Sequence, residues 1–405
     1  MTGQVIQRPS PTALDVARAR RDTPGADKVV HLNNAGAALP PVQVTEAVIE
    51  HLRRESDMGG YEAAEMAIDQ IEHTYDAIAT LIGAQREEVA VVENATRAWD
   101  MAFYGLHLLP GDRILTSRAE YASNVIAFLQ VAERTGTKVE VIDDDPSGQL
   151  SVTDLRHRLD DGKGPVKLVA VTHVPTQGGL VNPAAEIGAA TREAGVLYLL
   201  DACQSIGQMP IDVQEIGCDL LSATGRKFLR GPRGTGFLYA HRGLGERIEP
   251  PFLDLHAATW TSADTYEVRT DARRFENWET NYAAKIGLGV AVDYALSWGL
   301  DAIEARVLHL AHHLRSLLAG TPGVHVHDQG ERQCGIVTFT IDGVSAQEVQ
   351  RRLRHQGVNV SVSLVDYARL DLPARGLPDV VRASVHYYNT EDELGLAAAA
   401  LGSPQ

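Results

Sequence analysis

The chain has 405 residues, 44% of them hydrophobic and 22% charged, enough for one large and one smaller domain over an extensive core. Its formal net charge of −16 argues against nucleic acid or an anionic membrane as partner, since both reward a basic face, but leaves room for a local basic pocket. Three scattered cysteines, Cys203, Cys218 and Cys334, exclude a disulfide framework, and no C-x-x-C pair offers a structural zinc site, so no metal is expected.

In chain order, residues 1–29 read as an irregular arm with a short basic helix, without an apolar segment of signal-peptide type. No apolar run approaches the ~20 residues of a membrane span, and a cytoplasmic protein is expected. Residues 30–285 alternate strand-like and helix-like segments. "EVAVVEN", "DRILTS", "KVEVID", "VKLVAVTHV" and "VLYLLDA" are short, rich in Val, Leu and Ile, and show little polar alternation. That pattern suits strands covered on both faces of a mostly parallel sheet. "NPAAEIGAATREAG" is a crossover helix between two of them. Residues 286–405 form a smaller α+β domain. It is preceded and opened by two long helices, "AAKIGLGVAVDYALSWG" and "AIEARVLHLAHHLRSLLAG". Strands "GIVTFTIDG", "VNVSVSL" and "VVRASVHYYN" follow, with two helices opening on capping boxes, Ser345 with Glu348 and Thr390 with Glu393.

The stretch "LSATGRKFLRGPRGTG" places Lys227 after an apolar run and before a glycine cluster. It matches no phosphate-loop pattern: Phe228 stands where a Walker loop needs Ser or Thr, and Gly231, Gly234 and Gly236 have the wrong spacing for a dinucleotide fingerprint. Alone, Lys227 reads as an exposed lysine at a strand end. "VLYLLDACQSIG" runs five apolar residues into Asp201, at the strand terminus where open α/β sheets bind ligands. Asp201 reads either as a helix cap or as the carboxylate that keeps a pyridine nitrogen protonated. A lysine for an aldehyde and an acid for a ring nitrogen are together what pyridoxal phosphate (PLP) requires. The 26 residues between them make one strand-crossover unit. "VVENATRAWDMAF" adds a strand, then Asn94, Ala95 and Thr96, then a helix whose N-terminus suits a phosphate. "SRAEYASN" puts Tyr121 in the next loop as a flat stacking partner.

From "HLNNAGAALP" (31–40) to "RASVHYYNTEDEL" (382–394), the set "ENATRAW", "AEYASN", "THVPTQGGLVNP", "LLDACQSIGQ" and "SATGRKFLRGPRGTGFLY" resembles the class V aminotransferase and cysteine desulfurase family of fold-type I PLP enzymes. The resemblance implies an α/β fold, with a mostly parallel seven-stranded sheet in the large domain and a smaller C-terminal α+β domain. It implies that Lys227 carries the internal aldimine, Asp201 pairs with the pyridinium nitrogen, and Gln204 and Thr176 lie near the ring hydroxyl. Ala95, Thr96, Thr224 and Arg226 are implied to hold the phosphate and Tyr121 to stack on the ring. Thr280 resembles the residue that a neighbouring subunit donates to the phosphate, so a homodimer is expected. Asn34 and Arg382 are implied to bind the α-carboxylate of an amino-acid substrate, a task for which a guanidinium fork is suited.

The resemblance also sets an expectation for the reaction. Desulfurases take sulfur on a mobile cysteine about 15 residues before the carboxylate-binding arginine; "VSLVDYARLDLPARGLPDVVR" has none, with Tyr367 near that slot. On that ground a persulfide-forming desulfurase is excluded here. "MGGYEAAE" and the Arg226–Lys227 pair resemble the C–S lyase and isopenicillin N epimerase-like branch. The expectation is β-elimination from an S-conjugated cysteine, with transamination, epimerisation and decarboxylative deamination open.

Overall fold

The computed structural model describes residues 14–402, apart from the side chain of Glu246; the first thirteen residues of the expected arm lie outside them. The large sheet contains β1 (Val89–Val92), β2 (Arg113–Thr116), β3 (Lys138–Val141), β4 (Val166–Thr172), β5 (Leu197–Asp201), β6 (Leu220–Thr224) and β7 (Gly236–Ala240). Their order is β1-β7-β6-β5-β4-β2-β3, with β7 antiparallel to both neighbours and the rest parallel. Every residue of β1, β2, β5, β6 and β7 is buried, which is why these strands read as unbroken apolar runs. The edge strand β3 is partly open to water along its length, and β4 only at Val166 and Lys167.

Helices cover both faces. The main ones here are α1 (Val42–Met58), α2 (Ile68–Ile82), α3 (Ala95–Phe103), α4 (Ala122–Thr135) and α5 (Ala184–Ala194). They continue with α6 (Tyr282–Trp298), α7 (Leu300–Ala319), α8 (Ala346–His355) and α9 (Glu391–Leu401). Helix α6 packs on α1 and α2 and is buried on nearly every side, as its apolar composition requires. It meets α7 at a 79° bend at Gly299; no single described helix is long and apolar enough to cross a membrane.

The C-terminal sheet is antiparallel, in the order β8 (Val324–Val326), β9 (Ile336–Ile341), β11 (Val380–Ser384), β10 (Ser361–Ser363). The segment "VNVSVSL", expected as one strand, divides at Val360. Val358–Asn359 pairs with Val30–His31 near the chain's start, and only Ser361–Ser363 joins the sheet. Of the two expected capping boxes, Thr390 with Glu393 is complete. At Ser345 only half forms: the hydroxyl accepts from Glu348 N–H, while the Glu348 carboxylate turns to Arg351 and Arg352 instead. One continuous apolar core runs from the large sheet into the C-terminal layer.

Arg230 ties these parts together. It is 1% exposed and holds φ at 63°, an uncommon value for a non-glycine residue. Its guanidinium donates to Leu39 O (2.9 Å), Tyr387 OH (2.6 Å) and Thr23 Oγ1 (2.5 Å), and lies against the rings of Tyr387 and Tyr388. Replacing Arg230 by Ala leaves these buried acceptors without donors. The expected loss is about 2–4 kcal/mol in urea denaturation of the cofactor-free protein.

Candidate active site

Strand register places the functional groups. Thr172, Asp201 and Ser222 are paired across β4, β5 and β6, so β4 and β5 finish level and β6 runs on to Thr224. Asp201 ends β5, and Lys227 follows β6 by three residues. Both open into one cavity of about 340 Å³. Ala95, Thr96, Tyr121, Thr176, Gln204, Thr224 and Arg226 line the same cavity, so nine of the ten residues singled out for the cofactor meet there.

Asp201 is held on both oxygens. Oδ1 accepts from Cys203 N–H (2.9 Å), and Oδ2 accepts from the Asn124 amide (3.2 Å). Desolvation pushes the Lys227 ammonium below its ordinary value, and Arg226 and Arg382 add to the fall, whereas Cys203 and Asp201 oppose it. The N-terminus of α3 faces the cavity, with Asn94 Oδ1 capping Arg97 N–H at 2.9 Å. The earlier N–H groups of that turn have no partner within the helix, a ready anion site. Gly236 makes the turn possible: a Cβ there would stand 2.8 Å from Ala95 N and 2.7 Å from Asn94 C. Arg226 donates to Gly36 O, and burial lowers its pKa. Gln204 Nε2 donates to Ala35 O at 3.1 Å, and its buried Oε1 has no partner among the described residues. Thr176 Oγ1 donates to Gln177 Oε1 at 2.8 Å. Tyr121, at the N-cap of α4, is 40% exposed and lines the cavity.

Two expected substrate ligands separate. Arg382, on β11, is buried and has its Nε unpartnered among the described residues; desolvation, with Arg226 nearby, lowers its pKa to about 10. Asn34 does not join it. Its amide donates to Ser384 O (2.7 Å) and His31 O (3.2 Å), and its carbonyl accepts from Tyr388 OH (2.5 Å), all in the joint between the N-terminal segment and β11. The neighbouring Asn33 instead turns its Oδ1 to Arg382 Nη2, at 3.4 Å. Thr280 lies apart, in an open groove with Tyr61 and Trp278. Asn124 and Thr172 also line the cavity and were not singled out from the sequence, although Asn124 closes the motif that carries Tyr121. Behind them lies Glu120, 3% exposed, its carboxyl pushed up to about 7 by burial.

The donor set fits a PLP molecule. The chemistry is an amine of lowered pKa, a fixed carboxylate, a helix N-terminus with an arginine, and an unpartnered amide oxygen around one cavity.

The profile of the family described as aminotransferase class-V matches residues 30–396, so the chain belongs to that PLP-dependent family of enzymes. A probable cysteine desulfurase of Xylella fastidiosa (strain 9a5c) is 33% identical over 404 residues, covering 96% of each chain. One from Methanothermobacter thermautotrophicus is 29% identical over 388 residues, covering 94% of this chain and 96% of the other. The apo structure of a cysteine desulfurase from Thermococcus onnurineus NA1 superposes with a TM-score of 0.89 at 27% identity, over 96% of this chain and 98% of that one. The same fold holds PLP with covalently linked glycine in a mutant of C-DES, at TM-score 0.85 and 23% identity over 95% and 98% of the two chains.

These relatives overturn the exclusion of a persulfide-forming desulfurase and the preference for a β-eliminating lyase. The exclusion rested on one absent side chain. The stretch around Tyr367, which is 64% exposed, does lack a cysteine. That removes one sulfur acceptor near the surface and leaves the cavity chemistry unaltered.

In the cofactor-free protein, the rate of PLP capture should rise with pH along a limb centred below the ordinary lysine value of about 10.4. Asp201→Asn removes a charge that favours the ammonium and should move the limb to still lower pH. Stopped-flow absorbance against pH measures both.

Proposed function

We propose that this chain is a cysteine desulfurase: with PLP bound, it cleaves the Cβ–S bond of cysteine, leaving alanine and passing the sulfur to a thiol. The observation that carries this reading is end-to-end similarity to chains named cysteine desulfurase, together with Lys227 and Asp201 facing one cavity. Bound PLP supplies an electron sink for charge developing at Cα.

The chain's own residues do the rest. Asp201, fixed by Asn124 and Cys203 N–H, keeps the proton on the ring nitrogen. Ala95, Thr96, Thr224 and Arg226, which line the cavity at the head of α3, would hold the phosphate, Gln204 and Thr176 the ring hydroxyl, and Tyr121 would stack on the ring. Arg382, steadied by Asn33, binds the substrate carboxylate. Lys227 has a lowered pKa and so holds more of the neutral amine that accepts the Cα proton. In a homodimer, Thr280 would complete the phosphate site of the second subunit.

The sulfur goes to a thiol from outside the chain. Cys218 and Cys334 are buried, whereas Cys203 is half-buried and lines the cavity beside Asp201; desolvation, joined at Cys203 by the Asp201 charge, raises the pKa of all three, Cys334 to about 12, so each is kept as the weakly nucleophilic thiol. The step balances without an oxidant: cysteine and an acceptor thiol give alanine and the acceptor's persulfide.

With PLP, L-cysteine and excess dithiothreitol, the protein should release alanine and sulfide in equal amounts, and Lys227→Ala should release neither. Replacing Cys203, Cys218 and Cys334 together by Ala should leave alanine release within about threefold of wild type, since none is an activated nucleophile. Pyruvate in place of alanine would overturn the assignment; loss of alanine release in the triple variant, with the fold intact, would place the acceptor within the chain.

A further inference from the structure

Glu120 has no part in the chemistry described above, yet it is bound more fully than any other carboxylate around the cavity. Oε1 accepts from Tyr121 N–H (2.8 Å), from the Asn124 amide (2.9 Å) and from the Thr172 hydroxyl. Oε2 accepts from Thr116 Oγ1 (3.0 Å) and Thr172 N–H (3.0 Å). Five donors converge on one carboxylate that is 3% exposed. Thr116 ends β2 and Thr172 ends β4, so Glu120 spans two neighbouring strand termini, next to the one that carries Asp201.

Two of those bonds lead into the cavity. The Asn124 Nδ2 group has two hydrogens. One is directed at Glu120 Oε1 and the other at Asp201 Oδ2, 3.2 Å away, so a single amide bridges two carboxylates. The second bond comes from the N–H of Tyr121, which itself lines the cavity. The Cys203 N–H holds the other oxygen of Asp201, and the Cys203 thiol also bonds that carboxylate, so Asn124 is the one link between Asp201 and Glu120 among the described residues.

We propose that Glu120 is a positioning residue for the cofactor. Acting through the Asn124 amide and the Tyr121 N–H, it sets Asp201 at the edge of the ring and Tyr121 over its face as one unit. This rests on the cofactor roles assigned above to Asp201 and Tyr121, but not on which amino acid is the substrate.

The carboxylate is needed for this, not only its volume. An amide at position 120 offers one carbonyl oxygen and turns an NH2 group toward two or three of the five donors. Glu120→Gln therefore conflicts with the Tyr121 and Asn124 bonds or with the strand-end bonds. Asn124→Ala cuts the link to Asp201 alone and leaves the other four donors on Glu120 in place.

The experiment uses PLP itself as probe, on wild type, Glu120→Gln, Asn124→Ala and the double variant. PLP affinity is read by fluorescence quenching, ring orientation by visible circular dichroism of bound PLP, and the fold by the melting temperature of the cofactor-free protein. Each single variant is expected to weaken PLP binding by about tenfold or more and to lose most of the visible dichroism. The double variant should be no more than about threefold worse than the poorer single one, because both act through the same bridge. If Glu120→Gln does not fold, Asn124→Ala decides the matter by its affinity and dichroism. A lowered melting temperature with affinity and dichroism unchanged would make Glu120 a strand tie only and overturn the proposal. Multiplying effects in the double variant would overturn the bridge. Failure of wild type to bind PLP would instead refute the cofactor roles on which the inference rests.

Discussion

The structure depends on a carboxylate, Asp201, that ends a strand with no exposed face. β5 is covered on both sides, so its last residue reaches a polar environment only where the sheet stops and the helices diverge. A buried charge is tolerated only with partners. The partners are supplied by the chain on either side: the N–H of Cys203 from the turn that follows, and the Asn124 amide from α4. Parallel pairing then brings Thr172 and Ser222 level with Asp201, and the turn after β6 delivers Lys227 to the same edge. The cavity is the space left between these strand ends and the helices that start from them.

Its electrostatics divide in two. Asp201 and Glu120 are joined through Asn124; among the cations, Arg226 and Arg382 add to the desolvation that lowers the Lys227 pKa, and Arg226 does the same to Arg382. The cations are only partly matched by protein anions, which is the condition for taking up a phosphate and a carboxylate from outside. The glycines serve this arrangement by their size. At Gly236 the strand passes so close to the α3 turn that no side chain fits, and the anion site needs that proximity.

Most strands of the large sheet and the two long helices between Tyr282 and Ala319 were legible because each carries its own apolar period and end signals, whereas the helices Val42–Met58 and Ile68–Ile82 and the hairpin of Ala258–Ser262 with Thr265–Val268 were not read. Among the segments that were read, divergence came where a partner outside the local motif competes. "VNVSVSL" has the pattern of one strand, but its two halves pair with segments at opposite ends of the chain. Glu348 follows Ser345 at capping-box spacing, yet Arg352 one turn on is the stronger partner for its charge. The missing cysteine near Tyr367 was a local fact given global weight; relatedness along the whole chain outweighs it.

By itself the sequence determined the class of fold, the pairing of Lys227 with Asp201 and the family to which they belong. Those features are local runs at short, regular spacings, and backbone geometry alone translates them into a common sheet edge. Tertiary structure decided which of two adjacent asparagines faces Arg382. Asn34 is taken by Ser384, 350 residues away, and the turn then directs Asn33 to the arginine. It also decided that Glu120 stands behind Asp201 and Tyr121. Side-chain direction and burial are set by neighbours from other strands, and no stretch of chain near Glu120 records that Asp201 will lie beyond the Asn124 amide.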